Sequence, residues 1–196
     1  MSRYIGTTDL RAYLSPDNAL PTTQNGLLQD CIDRAESAIN DYTRRNFVGT
    51  AGTAYINRFS AGQVSGQALY LTQDLYALDG VLNGDGRVIT SGSVWLEPRN
   101  VGPPYRVVRL KSQFVWIWNT DSDLIVSGTF GFSLVAPDAI KQATIRYAAH
   151  LFKQKDVGPS DVAGFPEAGE VSYPKGMPDD VRYLLAPYRS RSGGVI

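Results

Sequence analysis

The chain has 196 residues, in which 19 Lys plus Arg balance 19 Asp plus Glu at a pI near 6.6, enough for one medium domain or a domain carrying an insertion. Zero net charge argues against a dedicated nucleic-acid binder, whose affinity rests on surplus cations, and the single Cys31 excludes an internal disulfide or a thiolate metal cluster. The N-terminus shows no apolar run of signal-peptide length and no stretch of about 18 apolar residues occurs, so a soluble protein made in a reducing cytoplasm is expected.

Thr7 or Thr8 can cap a short first helix, with Asp9 near its positive end and Leu10, Tyr13 and Leu14 on one face. Ser15-Pro16-Asp17 ends it, and the polar stretch Asp17 to Gln24, containing Pro21, reads as an exposed loop. From about Gly26 to Asn46 the helical signal is clearest. Leu28, Cys31 or Ile32, Ala35, Ile39 and Tyr42 recur every three or four residues, while Asp30, Asp33, Arg34, Glu36, Asp41 and Arg44 mostly take the other face. Such a helix is about 30 Å long; Asn25 suits its cap, and Arg44 and Arg45 its carbonyl end.

Between Thr53 and Ser133 the texture changes to short β-rich runs. Candidate strands are Ala54 to Phe59, Ala68 to Leu71, Leu75 to Leu82, Arg87 to Thr90, Val94 to Glu97, Arg106 to Leu110, Phe114 to Trp118 and Leu124 to Ser127. Asn83-Gly84-Asp85-Gly86 is a tight hairpin turn, because Asn-Gly and Asp-Gly tolerate positive φ. Val115, Trp116, Ile117 and Trp118 put apolar groups on both faces of one strand, which is then central in a small sandwich or covered by a neighbouring subunit.

Pro137 to about Lys155 returns to helix, with Asp138 in the first turn and Ile140, Ala143 or Thr144, Tyr147, Leu151 and Phe152 on one face. A long Gly- and Pro-containing loop from Val157 to Gly176 is a candidate contact segment. Pro178, Asp179 and Asp180 open a last short helix with Val181, Leu184, Leu185 and Tyr188 as its apolar positions. The eight residues from Arg189 to Ile196 are basic, then glycine-rich, then β-branched. Extended, they reach about 26 Å, far enough to dock on another body.

The pattern predicts an α+β fold: a helical bundle built from the N-terminal (1–52) and C-terminal (134–188) segments, an inserted antiparallel β subdomain (53–133) and an extended C-terminal tail (189–196). Tyr42, Trp116, Trp118 and Tyr147 are expected in the core or between subunits. Arg189 and Arg191, ahead of Gly193, Gly194, Val195 and Ile196, suit charge-steered docking followed by strand addition to another protein's sheet edge.

A reactive centre is hard to assemble from these residues. His150 is the sole histidine and sits, like Cys31, within an apolar helical pattern, so each reads as a structural side chain. Asp121 and Asp123 alternate in a loop as calcium ligands do, yet the glycine and closing glutamate of an EF-hand are missing, which leaves a polar hairpin loop. Neither a phosphate-binding glycine loop nor a G-x-S-x-G elbow occurs. The expectation is no enzyme, no cofactor and no metal. A second reading makes Trp95, Trp116 and Trp118 stacking platforms of a carbohydrate- or ligand-binding module.

Four phrases in order give the chain a family resemblance. They are Asp9-Leu10-Arg11-Ala12-Tyr13-Leu14; Ala35, Ile39, Tyr42, Thr43, Arg45 and Phe47 in an Ala-x-x-x-Ile-x-x-Tyr-Thr-x-Arg-x-Phe pattern; Pro137-Asp138-Ala139-Ile140-Lys141-Gln142-Ala143; and Pro178, Val181, Leu184, Leu185, Pro187, Tyr188 and Arg189. Together they cover about half the chain and resemble the head-tail connector, or adaptor, proteins of long-tailed phages. The resemblance implies a virion protein of the neck between head and tail, made in the host cytoplasm. It implies a homo-oligomeric ring, usually of twelve copies, between the portal protein and a tail or stopper protein, with DNA passing through without specific binding and no membrane contact. It further implies that the C-terminal segment, from Tyr188 and Arg189 to Ile196, reaches into the portal. The large Trp-bearing β block departs from the family pattern.

Overall fold

A computed structural model of the chain describes residues 4–15, 20–56, 63–111, 113–117, 123–154, 162–165, 169–172 and 176–190. These fall into two compact units: the described residues of 4–44 and 136–190, and those of Arg45–Val135. The first is mainly helical with one two-stranded hairpin and the second is built on a seven-stranded sheet, so the fold is mixed α+β.

In the helical unit, α1 spans Thr7–Leu14 and α2 spans Asn25–Thr43; α3 spans Asp138–Gln154 and α4 spans Asp179–Leu185. The 3.6-residue period explains the packing of α3 against α2, α4 and α1. Leu28, Ile32, Ala35 and Ile39 of α2, Ile140, Ala143 and Ala148 of α3, Val181 and Leu185 of α4, and Leu10 of α1 are all fully buried.

Several local expectations change. Gly6, rather than Thr7 or Thr8, takes the cap position of α1, and its N–H donates to Asp9 Oδ2 at 2.8 Å. Tyr13 is half exposed, so Leu10 alone of its expected face is buried. Asn25 is the first residue of α2 and not its cap; its side chain instead accepts a hydrogen bond from Arg11, which also donates to the Leu20 carbonyl. Glu36, expected among the polar residues of α2, is buried because its Oε1 accepts the Tyr4 N–H at 2.7 Å. Arg44 ends α2 in the left-handed region at φ 54°.

The β unit contains β1 (Thr50–Ile56), β2 (Val64–Ser65), β3 (Ala68–Leu82), β4 (Val88–Thr90), β5 (Val94–Glu97), β6 (Tyr105–Leu110) and β7 (Leu124–Phe130). The main order is β1-β7-β3-β6-β5, every pairing antiparallel, with β2 and β4 added to β3. The strands expected at Ala68 to Leu71 and Leu75 to Leu82 are one 15-residue strand, whose register shifts between Tyr70 and Leu75 let it pass from β6 to β7. Leu69, Leu75, Val81, Val108, Leu110, Leu124 and Val126 form the centre of its core.

The turn at Asn83 to Gly86 joins β3 to β4 as expected, with the Gly86 N–H on the Asn83 carbonyl and the Asn83 N–H on that of Arg87. The expected strand at Phe114 to Trp118 is not one. Phe114 to Ile117 run in irregular backbone, and Trp118 lies outside the described residues. The Asn83 turn explains this: Asn83 Oδ1 accepts from Ile117 N–H at 2.9 Å, its Nδ2 donates to the Val115 carbonyl at 3.1 Å and Gly84 N–H donates to the Ile117 carbonyl at 2.8 Å, so a turn and its side-chain amide take the place of a neighbouring strand. Part of the segment expected as a loop from Val157 to Gly176 is an antiparallel hairpin, β8 (Val162–Phe165) with β9 (Gly169–Ser172).

Candidate functional site

Arg45 and Phe47 of the second phrase open the β unit, and the segment they belong to is laced to the one after β7. Gly49 N–H donates to the Ser133 carbonyl at 2.7 Å, Phe132 N–H to the Asn46 carbonyl at 2.8 Å, and Ser133 Oγ to the Phe47 carbonyl at 3.1 Å. The backbones approach so closely that a Cβ on Gly131, which sits at φ 149°, would fall 2.5 Å from Gly49 Cα. Asp74 of β3 anchors this clasp. Its Oδ2 accepts from Arg45 Nη1 at 2.9 Å and its Oδ1 from Arg106 Nε at 2.6 Å, with 1% of the side chain exposed. Its own carbonyl takes the Gly131 N–H at 2.8 Å. The Arg45 guanidinium also lies over Phe132, 5.3 Å from the ring centroid, and Phe132 packs against buried Phe47. Asp74 was not legible as a key residue; its one signal is a carboxylate inside a run of leucines.

The helical unit brings Arg189 and Ser190, late in the sequence, against Tyr42 and Thr43 at the end of α2. Ser190 N–H donates to the Thr43 carbonyl at 2.8 Å, capping the end of α2 with the chain's last described residue. Beside it the exposed Arg189 guanidinium lies 5.5 Å from the centroid of half-buried Tyr42, and Tyr188 is half buried. The last described residue of the chain thus lies against the C-terminal end of α2. Arg191, Gly193, Gly194, Val195 and Ile196 lie outside the described residues. Tyr147 is buried in α3, and that burial pushes its phenol above the usual range.

Of the three tryptophans singled out, Trp118 lies outside the described residues, and Trp95 and Trp116 differ in setting. Trp116 is buried, and its Nε1–H donates to the Gln67 carbonyl at 3.0 Å. Trp95 of β5 is 44% exposed, with Arg99 Cζ 4.1 Å and Lys111 Nζ 4.4 Å from its ring centroid. Alongside, Arg109 donates to Glu97 at 2.7 Å, a hydrogen bond that holds the carboxyl below its usual range.

Cys31 is buried, and half-buried His150 has its Nε2 3.0 Å from Gln154 Nε2, one helical turn along α3. Asp121 lies outside the described residues and Asp123 is exposed. Among the described residues, no three His, Cys, Asp or Glu side chains converge as metal ligands, and no helix is long and apolar enough to cross a membrane. The chemistry on display is that of contact: laced backbones, ion pairs and cation–aromatic stacks.

No protein-family model matches the sequence, and no curated protein is similar to it. Solved structures are similar along nearly its whole length. A chain in the neck of an empty gene transfer agent particle, computed with C6 symmetry, superposes with a TM-score of 0.64 at 15% identity over 97% of this chain and 93% of that one. A chain in the neck of the native particle, computed with C12 symmetry, gives 0.58 at 15% identity over 98% and 97%. The fold is that of a particle-neck chain. A chain of the native gene transfer agent virion gives 0.58 at 16% identity over 97% and 93%. The likeness in fold extends over nearly the whole chain, although the sequence identity is only 15–16%.

Proposed function

We propose that the chain is a structural head-tail adaptor subunit of a phage-like particle, located in the neck, where a homo-oligomeric ring docks on the portal and links it to the tail. The observation that carries this reading is the end-to-end likeness to chains of gene transfer agent necks, whose computed symmetries, C6 and C12, suit a ring of repeated subunits.

The residues support it. In the proposed arrangement the helical unit is the body of the subunit and the β unit an inserted subdomain held at both ends by the clasp around Asp74. The segment beyond Ser190 is the docking arm: Arg189 and Tyr188 stand at its root against Tyr42, and Arg191, Gly193, Gly194, Val195 and Ile196 reach the portal. The balance of 19 cations and 19 anions suits a channel through which DNA slides without sticking. A contact role asks for no reactive group, so the proposal includes no catalysis and no cofactor.

Native mass spectrometry of the full-length chain mixed with portal rings tests the proposal. A discrete complex carrying up to about twelve copies per portal ring is expected for a closed ring; a portal ring that stays bare at saturating chain would contradict it.

A further inference from the structure

β1 ends the seven-stranded sheet. Its inner side pairs with β7 over seven consecutive positions, from Thr50↔Phe130 to Ile56↔Leu124, and among the described residues no strand or backbone hydrogen bond meets its outer side. The strand reads Thr50-Ala51-Gly52-Thr53-Ala54-Tyr55-Ile56, without charge or proline, and Thr50 to Thr53 are exposed. A strand edge left to water is a template for association, and proteins blunt such edges with lysine, proline, bulges or brevity. β1 has none of these devices, since its register with β7 is unbroken.

The other end of the sheet is β5, which pairs only with β6 among the described residues. Following the antiparallel pairings from β1 through β7, β3 and β6 to β5, the two end strands run in the same direction. Two copies related by a ring rotation of about 30° can therefore set β1 of one beside β5 of the next with the strands nearly parallel. In that register the C-terminal ends of the two strands meet. Exposed Asp123, next to the Leu124 that pairs with Ile56, then faces the end where Pro98 and Arg99 follow β5, while Glu97 is already paired with Arg109. The charges are complementary.

We infer that the outer edge of β1 is a copy-to-copy contact that adds to the outer edge of β5 in a second copy, carrying the sheet from one subunit to the next. A contact between two different patches is heterologous, the kind that closes into a ring. This inference rests on the ring reading above and assigns the surface that makes it.

Hydrogen exchange of the full-length chain, free and in assembled rings on the portal, tests it. Peptides covering Thr50–Ile56 and Val94–Glu97 should both exchange at least about tenfold more slowly in the ring. Asp123→Arg should weaken assembly, and adding Arg99→Glu should restore it. Rings whose β1 exchanges as in the free chain would overturn the inference and leave the ring reading standing. Slowing at β1 without slowing at β5 would also overturn it, by giving the edge to a different protein's strand. Absence of any ring would remove both.

Discussion

Arg45 Nη1 and Asp74 Oδ2 lie 2.9 Å apart across 29 residues of sequence, joining the first residue of the β unit to the middle of its longest strand. Arg106 completes the arrangement from β6. A carboxylate this deeply buried is tolerated because two guanidiniums neutralise it, and removing it leaves Arg45 without its counter-ion.

Asp74→Ala is therefore expected to lower the unfolding free energy by about 3–5 kcal/mol. Chemical denaturation followed by fluorescence measures this; an unchanged midpoint would show that the clasp holds by its backbone hydrogen bonds alone.

Asn83 is expected to matter more than a turn residue usually does. Asn83→Ala orphans the Ile117 N–H and the Val115 carbonyl, at about 2–3 kcal/mol. Faster hydrogen exchange at Val115 to Ile117 checks the cause, and unaltered exchange there would contradict it.

Trp116→Ala should cost about 3–5 kcal/mol, the range for emptying an aromatic site in a core. A wild-type melting curve for the isolated variant would show that its burial contributes little within one subunit.

The helices were legible because their apolar residues recur at helical spacing and because boundary residues mark them, Ser15 after α1 and Pro178 before α4 among them. The hairpin turn at Asn83 was legible from its Asn-Gly chemistry. Thr72-Gln73-Asp74 reads as a break between two strands, because the arginines that make Asp74 acceptable inside β3 lie 29 and 32 residues away. Phe114 to Ile117 have strand composition, and nothing local reveals that an amide 34 residues earlier takes the Ile117 hydrogen bond. The β8-β9 hairpin was hidden by the glycines and prolines around it. Of the candidate site, the stacking of Arg189 on Tyr42, residues 147 positions apart, follows only from the fold.

Ser190 belongs to the helical unit, since its N–H caps α2, so the proposed docking arm is cleanly removed only from Arg191 onward. Deleting residues 191–196 should leave the melting temperature unchanged and abolish co-sedimentation with portal rings. Full co-sedimentation of the shortened chain would place the portal contact elsewhere.

The central claim is a place in a particle, and electron microscopy of purified particles tests it most directly. A reconstruction of the neck should show a ring of this chain between portal and tail, its helical units and seven-stranded sheets repeated around the channel. Density at that level that the chain does not fit, in particles that contain it, would contradict the account.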